Sequence, residues 1–203
     1  MNIEIRKLTP DLADDFFDFF DNRAFSDHAE WSCCYCTSFH SDIKQVDEEV
    51  KSLGGGESNL RKVLRALSEK LIKEKSLNGY LAYVDDTPIG WCNAAAKESF
   101  RQFDMFDKNR EAFIRNGSMS KIKSVMCFVI APEYRNKGVA TSLLERVITD
   151  AKAEGFTVVE GYPRKQDERY EWDFIGPIRL YEKTGFVKVA EYDENVVMKK
   201  ELF

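Results

Sequence analysis

The sequence predicts a single domain of the α/β class, because three consecutive stretches read as a strand, a helix and a second strand. Val125 to Ile130 is short, rich in β-branched and aromatic residues, and followed by Pro132, which indicates a buried strand. From Val139 onward the apolar residues recur at spacings of three and four, as on one face of a helix, until Gly155. Phe156 to Tyr162 then returns to strand composition. This order most simply forms a right-handed parallel crossover.

The N-terminal segment predicts a strand followed by an amphipathic helix. Met1 to Leu8 alternates apolar and polar residues, which is typical of a strand with one buried face. Thr9 can cap the following helix, and Pro10 suits its first turn. The helix carries an apolar stripe from Leu12 to Phe20, and we interpret the aspartates between these residues as its solvated face rather than a metal site.

A cysteine-rich stretch lies between Trp31 and His40. Cys33 and Cys36 have the C-x-x-C spacing and His40 follows four residues later, so a zinc site or a redox pair is an alternative to be weighed. A structural zinc site needs four ligands, commonly in two spaced pairs. Cys34 lies within the same stretch, and the other cysteines and histidine of the chain, Cys92, Cys127 and His28, are scattered along the sequence. We therefore expect a packed, aromatic-rich loop on the substrate side and no bound metal.

The middle of the chain predicts two helices and a β-hairpin. The helices cover Ser41 to Val50 and Leu60 to Lys75, and Gly54 to Gly56 joins them as a simple connection or, alternatively, a hinge. Gly79 to Ala94 contains two strand-like runs around a polar turn, which is typical of a hairpin. Phe100 to Asn116 is polar with scattered aromatic residues and predicts one or two helical turns.

The C-terminal part predicts a short helix and a final pair of strands. Pro163 to Arg169 is a charged loop. Ile178 to Lys183 is the helix, and Phe186 to Ala190 with Val196 to Lys200 are the strands that close the sheet.

Composition restricts the class of protein further. The chain has 203 residues, of which 43% are apolar and 32% charged, and its formal net charge is −5. These values fit one globular domain, and no apolar run approaches the ~18 residues of a membrane span. We expect a cytoplasmic protein with reduced thiols, monomeric or a homodimer, that binds neither membrane nor nucleic acid, since no signal-peptide core or basic stripe is present.

The loop before the long helix has the properties of a phosphate site. Arg135 to Ala140 places several backbone N–H groups at a helix N-terminus, where they lack helical partners and the helix dipole favours an anion. Gly138 and Ala140 are small enough to let a phosphate approach the backbone, while Arg135 and Lys137 add positive charge. We infer a pyrophosphate site.

Two motifs together resemble a known family. The sequence contains neither the P-loop motif nor the G-x-G-x-x-G fingerprint. Arg135-Asn136-Lys137-Gly138-Val139-Ala140 instead resembles the R/Q-x-x-G-x-G/A loop of the GNAT acyl-CoA N-acetyltransferases, which also follows a strand. About forty residues later, Leu180-Tyr181-Glu182-Lys183-Thr184-Gly185-Phe186 is similar to the LYEKxGF segment of that family.

This resemblance implies the GNAT fold, a mixed central sheet of about six to seven strands with helices on both faces. It implies one domain over residues 1–203, with a substrate-side helical region at 24–78 and an acetyl-CoA-binding core at 124–162. The implied activity is transfer of an acetyl group from acetyl-CoA to a primary amine, on a small molecule or a protein, by direct attack in a ternary complex without a metal. The alternative is a domain that binds acyl-CoA as a sensor or interaction module without turnover.

The resemblance also implies which residues meet acetyl-CoA. Its pantetheine arm would hydrogen-bond the open backbone of Phe128, Val129 and Ile130. The pyrophosphate would bind at the loop and the first helical turn, formed by Arg135, Asn136, Lys137, Gly138, Val139, Ala140 and Thr141. The chain departs from the family at Phe174, where an asparagine is common, so a cofactor contact from an asparagine side chain is not expected there.

The resemblance assigns a general acid but leaves the base open. Tyr181 matches the family's tyrosine, and a phenol of pKa ~10 is protonated at neutral pH and can protonate the departing thiolate. Ser124 stands where some members carry a glutamate, and serine is no base. Glu160 on the neighbouring strand is the candidate base, with Glu30 and Glu98 as weaker alternatives.

Overall fold

A computed structural model of the chain describes residues 1–100, 121–165, 173–191 and 194–203, and shows one seven-stranded mixed sheet. The strands are β1 (Glu4–Lys7), β2 (Gly79–Val84), β3 (Thr87–Ala96), β4 (Ile122–Ile130), β5 (Val158–Gly161), β6 (Val187–Glu191) and β7 (Val196–Glu201). Their order is β1-β2-β3-β4-β5-β7-β6. Only β4 and β5 pair in parallel, and all other neighbours are antiparallel. The predicted α/β class and mixed sheet are confirmed.

Five α-helices accompany the sheet within the described residues: α1 (Ala13–Asn22), α2 (Ile43–Ser52), α3 (Glu57–Lys73), α4 (Val139–Ala153) and α5 (Ile178–Lys183). The prediction that Thr9 caps the first helix is wrong. Thr9 precedes a short 3-10 turn, its side chain makes no capping hydrogen bond with the described part of the chain, and α1 begins only at Ala13. The predicted turns at 100–116 lie, but for Phe100, outside the described residues. None of the described helices is both long and apolar enough to cross a membrane.

Helices cover both faces of the sheet. On one face, the aromatic stripe of α1 packs on the strands, and Phe16 meets the Trp91 ring edge-on with 5.0 Å between centroids. On the other face, the apolar side of α4 packs with α5 against the same strands. Since each face of the sheet is buried under apolar side chains, β3 and β4 run through the middle of the protein with almost no exposed residue.

A bulge in β4 separates this strand from β5. Asn93 of β3 pairs with Cys127 and Ala94 pairs with Val125, so Met126 is an extra residue in β4. The pairing of β4 with β5 extends from Ile122 only to Val125. A bulge bends its strand and increases the local twist. On the side of β5, the second half of β4, from Cys127 to Ile130, therefore borders a gap, with no strand paired to it among the described residues.

Candidate active site

A cavity of about 980 Å³ lies at the gap beside the second half of β4. Four parts of the chain form its wall: the end of β4, the N-terminus of α4, the segment before α2, and the segment leading into α5. The lining residues include Phe25, Trp31, Cys34, Cys36, Phe39, Cys127, Phe128, Val129, Ile130, Tyr134, Arg135, Gly138, Thr141, Asp173, Phe174 and Leu180. The cavity is thus bounded by aromatic side chains, the end of β4 and the N-terminus of α4.

Gly138 opens the N-terminus of α4 toward the cavity. It is the N-cap residue and has φ 86°, in the left-handed region that glycine adopts without strain. A Cβ atom at this position would meet no described protein atom within 4 Å, so packing within the protein does not require the missing side chain. No described side chain caps the helix, and its first turn offers backbone N–H groups to a ligand. This is the arrangement that binds phosphate at a helix N-terminus.

Arg135 is held beside this helix end by two partners. Its guanidinium donates to both carboxylate oxygens of Asp27 and to the Ile130 carbonyl at 3.1 Å. The Arg135 guanidinium in turn lowers the pKa of Asp27, against the opposing effect of burial. The Nζ of Lys137 lies 5.7 Å from the centre of the Tyr134 ring. All the residues predicted to bind the cofactor line the cavity except Lys137. Their role stays a prediction.

Two donors that the sequence assigns to the cofactor already have partners in the segment before α5. The backbone N–H of Phe128 donates to the Phe174 carbonyl at 2.6 Å. The hydroxyl of Tyr181 donates to the adjacent carbonyl of Ile175 at 2.9 Å. The peptide groups of Phe174 and Ile175 thus bridge the gap between β4 and α5.

Tyr181 is fully buried and does not border the cavity. Its ring packs edge-on against Phe186 at 5.3 Å and lies directly over Gly161, where a Cβ atom would come within 2.1 Å of the ring. Burial raises the pKa of its hydroxyl well above the usual value, so the group is protonated and able to donate. Its role as general acid stays a prediction.

Glu160 lies in a buried polar cluster on the α1 face of the sheet. Lys97 forms an ion pair with it at 2.7 Å, and both side chains are nearly inaccessible, with 5% and 7% exposed. The Tyr162 hydroxyl donates to the same carboxylate oxygen at 3.0 Å and lies 2.8 Å from the Ser124 hydroxyl. Glu160 does not border the cavity among the residues described. As for the weaker candidates, Glu30 pairs with His28, and Glu98 lies in a 3-10 turn after β3.

Sequence reasoning missed Lys97 and Asn93. Lys97 is 63 positions from its partner, and no local pattern announces such a pair. Asn93 was detectable as the one amide side chain within an otherwise apolar strand, and it contacts His40 and Cys36 in the structure. In the described ranges, no group of three or more His, Cys, Asp or Glu side chains is arranged to hold a metal ion.

Comparisons with known proteins identify the family and the fold of the chain. The sequence profile described as Acetyltransferase (GNAT) family matches residues 43–186. No curated protein matches the chain in a sequence search. Solved structures that share the fold include a GNAT-family acetyltransferase from Streptococcus pneumoniae, with 19% identity, full coverage of both chains and a TM-score of 0.54.

Two further structures of this fold were determined with ligands. The PaiA N-acetyltransferase of Thermoplasma acidophilum, in complex with coenzyme A, is 16% identical over 100% of each chain, with a TM-score of 0.54. The putative acetyltransferase YncA of Salmonella typhimurium, with acetyl-CoA, is 14% identical over 99% of this chain and 94% of that one, with a TM-score of 0.53. Because the family profile spans well over half of the sequence, the chain belongs to the GNAT family of acetyltransferases.

Proposed function

We propose that this protein transfers the acetyl group of acetyl-CoA to a primary amine by direct attack in a ternary complex. The observation that carries the proposal is the uncapped N-terminus of α4, which opens into the cavity at Gly138 where no side chain is present. A helix N-terminus favours a doubly charged pyrophosphate through its free N–H groups and its dipole. The cavity continues from there along Ile130, Val129 and Phe128, which gives the pantetheine arm a course beside β4.

In this reaction the amine nitrogen attacks the thioester carbon, and the carbon–sulfur bond breaks. The departing CoA thiolate takes a proton from Tyr181, which must exchange its bond with the Ile175 carbonyl for one with the sulfur. The attacking nitrogen loses its proton, and Glu160 is the proposed base. The Tyr162 hydroxyl lies between Ser124 and Glu160, so this chain of hydroxyl groups gives the carboxylate a proton path as far as Ser124.

The experiment that tests cofactor binding is a thermal melt of the Gly138→Glu variant with acetyl-CoA. For the wild type, ligand at about 100 times its dissociation constant adds about 2.7 kcal/mol of stability. A glutamate at Gly138 places a side chain and a negative charge where the pyrophosphate would lie, so we expect no ligand-induced shift. Gly155→Glu is the matched control, because Gly155 follows the other end of α4 with φ 84° and equally open surroundings. A normal shift in Gly138→Glu would overturn this site.

The second candidate function is acyl-CoA binding without turnover. It is favoured by one observation, that neither Tyr181 nor Glu160 borders the cavity. Release of free CoA thiol from acetyl-CoA, measured with a panel of primary amines, separates the two functions. Amine-dependent release supports the transferase, whereas binding without release from any amine in the panel supports the sensor.

A further inference from the structure

Two thiols on the cavity wall, those of Cys36 and Cys127, lie in one cluster with a buried amide. Cys36 lies in the turn before α2, with φ 56°, a left-handed conformation that a non-glycine residue adopts only at a cost. Its sulfur accepts a hydrogen bond from the Asn93 Nδ2 of β3 at 3.2 Å. Cys127, the first residue of β4 after the bulge, is hydrogen-bonded to the same sulfur. Both cysteines border the cavity although only 1% and 3% of their surfaces are exposed.

The two sulfur atoms differ in their tendency to ionise. Burial raises the pKa of Cys36, but hydrogen bonds donated by Cys127 and Asn93 outweigh that effect and lower the pKa below its usual value. For Cys127, the bond to Cys36 and burial both raise the pKa. The indole N–H of Trp91 has no hydrogen-bond partner in the described structure, and the Cys36 sulfur is the acceptor that it approaches. Cys36 is therefore the thiol of the pair that ionises more readily, and Cys127 is the one that keeps its proton more firmly.

His40 holds the Asn93 amide in position. Its Nε2 atom lies 3.2 Å from Asn93 Nδ2, and burial lowers the pKa of His40 to about 4. A neutral imidazole accepts one amide hydrogen, which leaves the other for the Cys36 sulfur. The Asn93 Oδ1 atom is buried without a partner among the described residues. The amide is thus committed to donating, which is the role that stabilises a thiolate.

We propose that Cys36 is a hydroperoxide-reactive thiol and that Cys127 is its resolving partner. The Cys36 thiol loses its proton to solvent, and the thiolate attacks the outer oxygen of a hydroperoxide. A sulfur–oxygen bond forms, the oxygen–oxygen bond breaks, and the departing alkoxide or hydroxide takes a proton from solvent to leave as alcohol or water. The Cys127 sulfur then attacks the sulfenic acid. A disulfide forms, the sulfur–oxygen bond breaks, and water leaves with the Cys127 proton. Two thiols are oxidised by two electrons and one hydroperoxide is reduced.

The disulfide would fix the turn at Cys36 to β4 at the residue before Phe128. Both residues lie on the wall of the proposed acetyl-transfer cavity, so oxidation lowers transfer and reduction restores it. This effect on transfer rests on the proposed function. Formation of the disulfide does not, because it requires only the free protein and a peroxide.

The test is peptide mapping of the free protein after treatment with hydrogen peroxide, without acetyl-CoA. We expect two of the five thiols to disappear and one linkage, Cys36 to Cys127, to form. Cys36→Ser should keep all four remaining thiols under the same dose, and Cys127→Ser should accumulate sulfenic acid at Cys36, detected by a dimedone adduct. Cys33→Ser is the control and should form the disulfide as the wild type does. Cys33 is more accessible than Cys36, but burial raises the pKa of its thiol.

Three results would overturn the proposal: a disulfide between Cys34 and Cys36, oxidation at Cys33 before Cys36, or five intact thiols at a dose that oxidises free cysteine. Peptide mapping of the wild type tests the proposal even if a serine variant fails to fold. A protein that forms the Cys36–Cys127 disulfide with peroxide but does not bind acetyl-CoA in its reduced state would refute the proposed function and leave the thiol chemistry standing.

Discussion

Substitution of Lys97 by methionine probes the buried pair that holds Glu160. The change keeps the length of the side chain but removes the ammonium group that lies 2.7 Å from the carboxylate. Because both partners are at least nine-tenths buried, water cannot replace the lost contact, and breaking such a pair costs about 3–5 kcal/mol. In a chain of this size each kcal/mol of lost stability lowers the melting temperature by about 2–4 °C, so we expect the variant to melt roughly 6–20 °C lower.

The matched variant is Lys97→Met with Glu160→Gln. Glutamine keeps an oxygen for the Tyr162 hydroxyl and removes the unpaired charge, so the double variant should recover most of the lost stability. Urea unfolding of both single variants and the double variant gives the coupling energy of the pair.

Turnover of the stabilised double variant then decides the role of Glu160. If the carboxylate is the base, turnover stays reduced by roughly 10²- to 10⁴-fold although the fold has recovered. If turnover returns with stability, Glu160 is structural and the proposed proton path is wrong. A Lys97→Met protein that melts within experimental error of the wild type would refute the energetic reasoning itself.

Two further predictions concern Tyr181 and His40. Tyr181→Phe should lower the free energy of unfolding by about 1–3 kcal/mol, because the Ile175 carbonyl loses its partner. The variant should still bind acetyl-CoA but turn over roughly 10²-fold more slowly. Turnover at the wild-type rate, under conditions where chemistry limits the rate, would contradict the role of Tyr181 as the acid. The folded pKa of His40, about 4, lies below its ordinary value of 6.5, so its contribution to stability is complete above 6.5 and is lost as the pH falls toward 4. This fall in the free energy of unfolding is about 3 kcal/mol. It is measured by urea unfolding of the wild type and of His40→Gln at a series of pH values. If stability depends on pH equally in the two proteins, the prediction is contradicted.

Local patterns predicted the elements that carry the proposed phosphate site. The change from strand composition to a three-and-four spacing located β4 and α4, and glycine with small neighbours marked the helix N-terminus at Gly138. The predicted strand from Phe156 to Tyr162 is shorter in the structure, where β5 extends from Val158 to Gly161. Thr157 still bonds the backbones of Lys121 and Leu202.

Long-range pairings were beyond sequence reasoning. Lys97 meets Glu160 and Cys36 meets Asn93 through contacts across more than fifty positions, set by how the sheet is ordered. The sequence identified Tyr181 by its motif, but only the structure showed that its hydroxyl is bound to Ile175. Motifs name residues, whereas the partners of those residues depend on the tertiary fold.

If acetyl-CoA binds as proposed, the peptide groups of Phe174 and Ile175 make its entry an exchange of hydrogen bonds. Their carbonyl oxygens already satisfy the Phe128 N–H and the Tyr181 hydroxyl, so an incoming pantetheine would replace two internal hydrogen bonds with two of its own. Such a replacement contributes little net free energy, since bonds are broken as well as made. The internal bonds leave neither donor unpaired in the interior. In the proposed complex, affinity is therefore determined at the far end of the ligand, where no described side chain caps the first turn of α4.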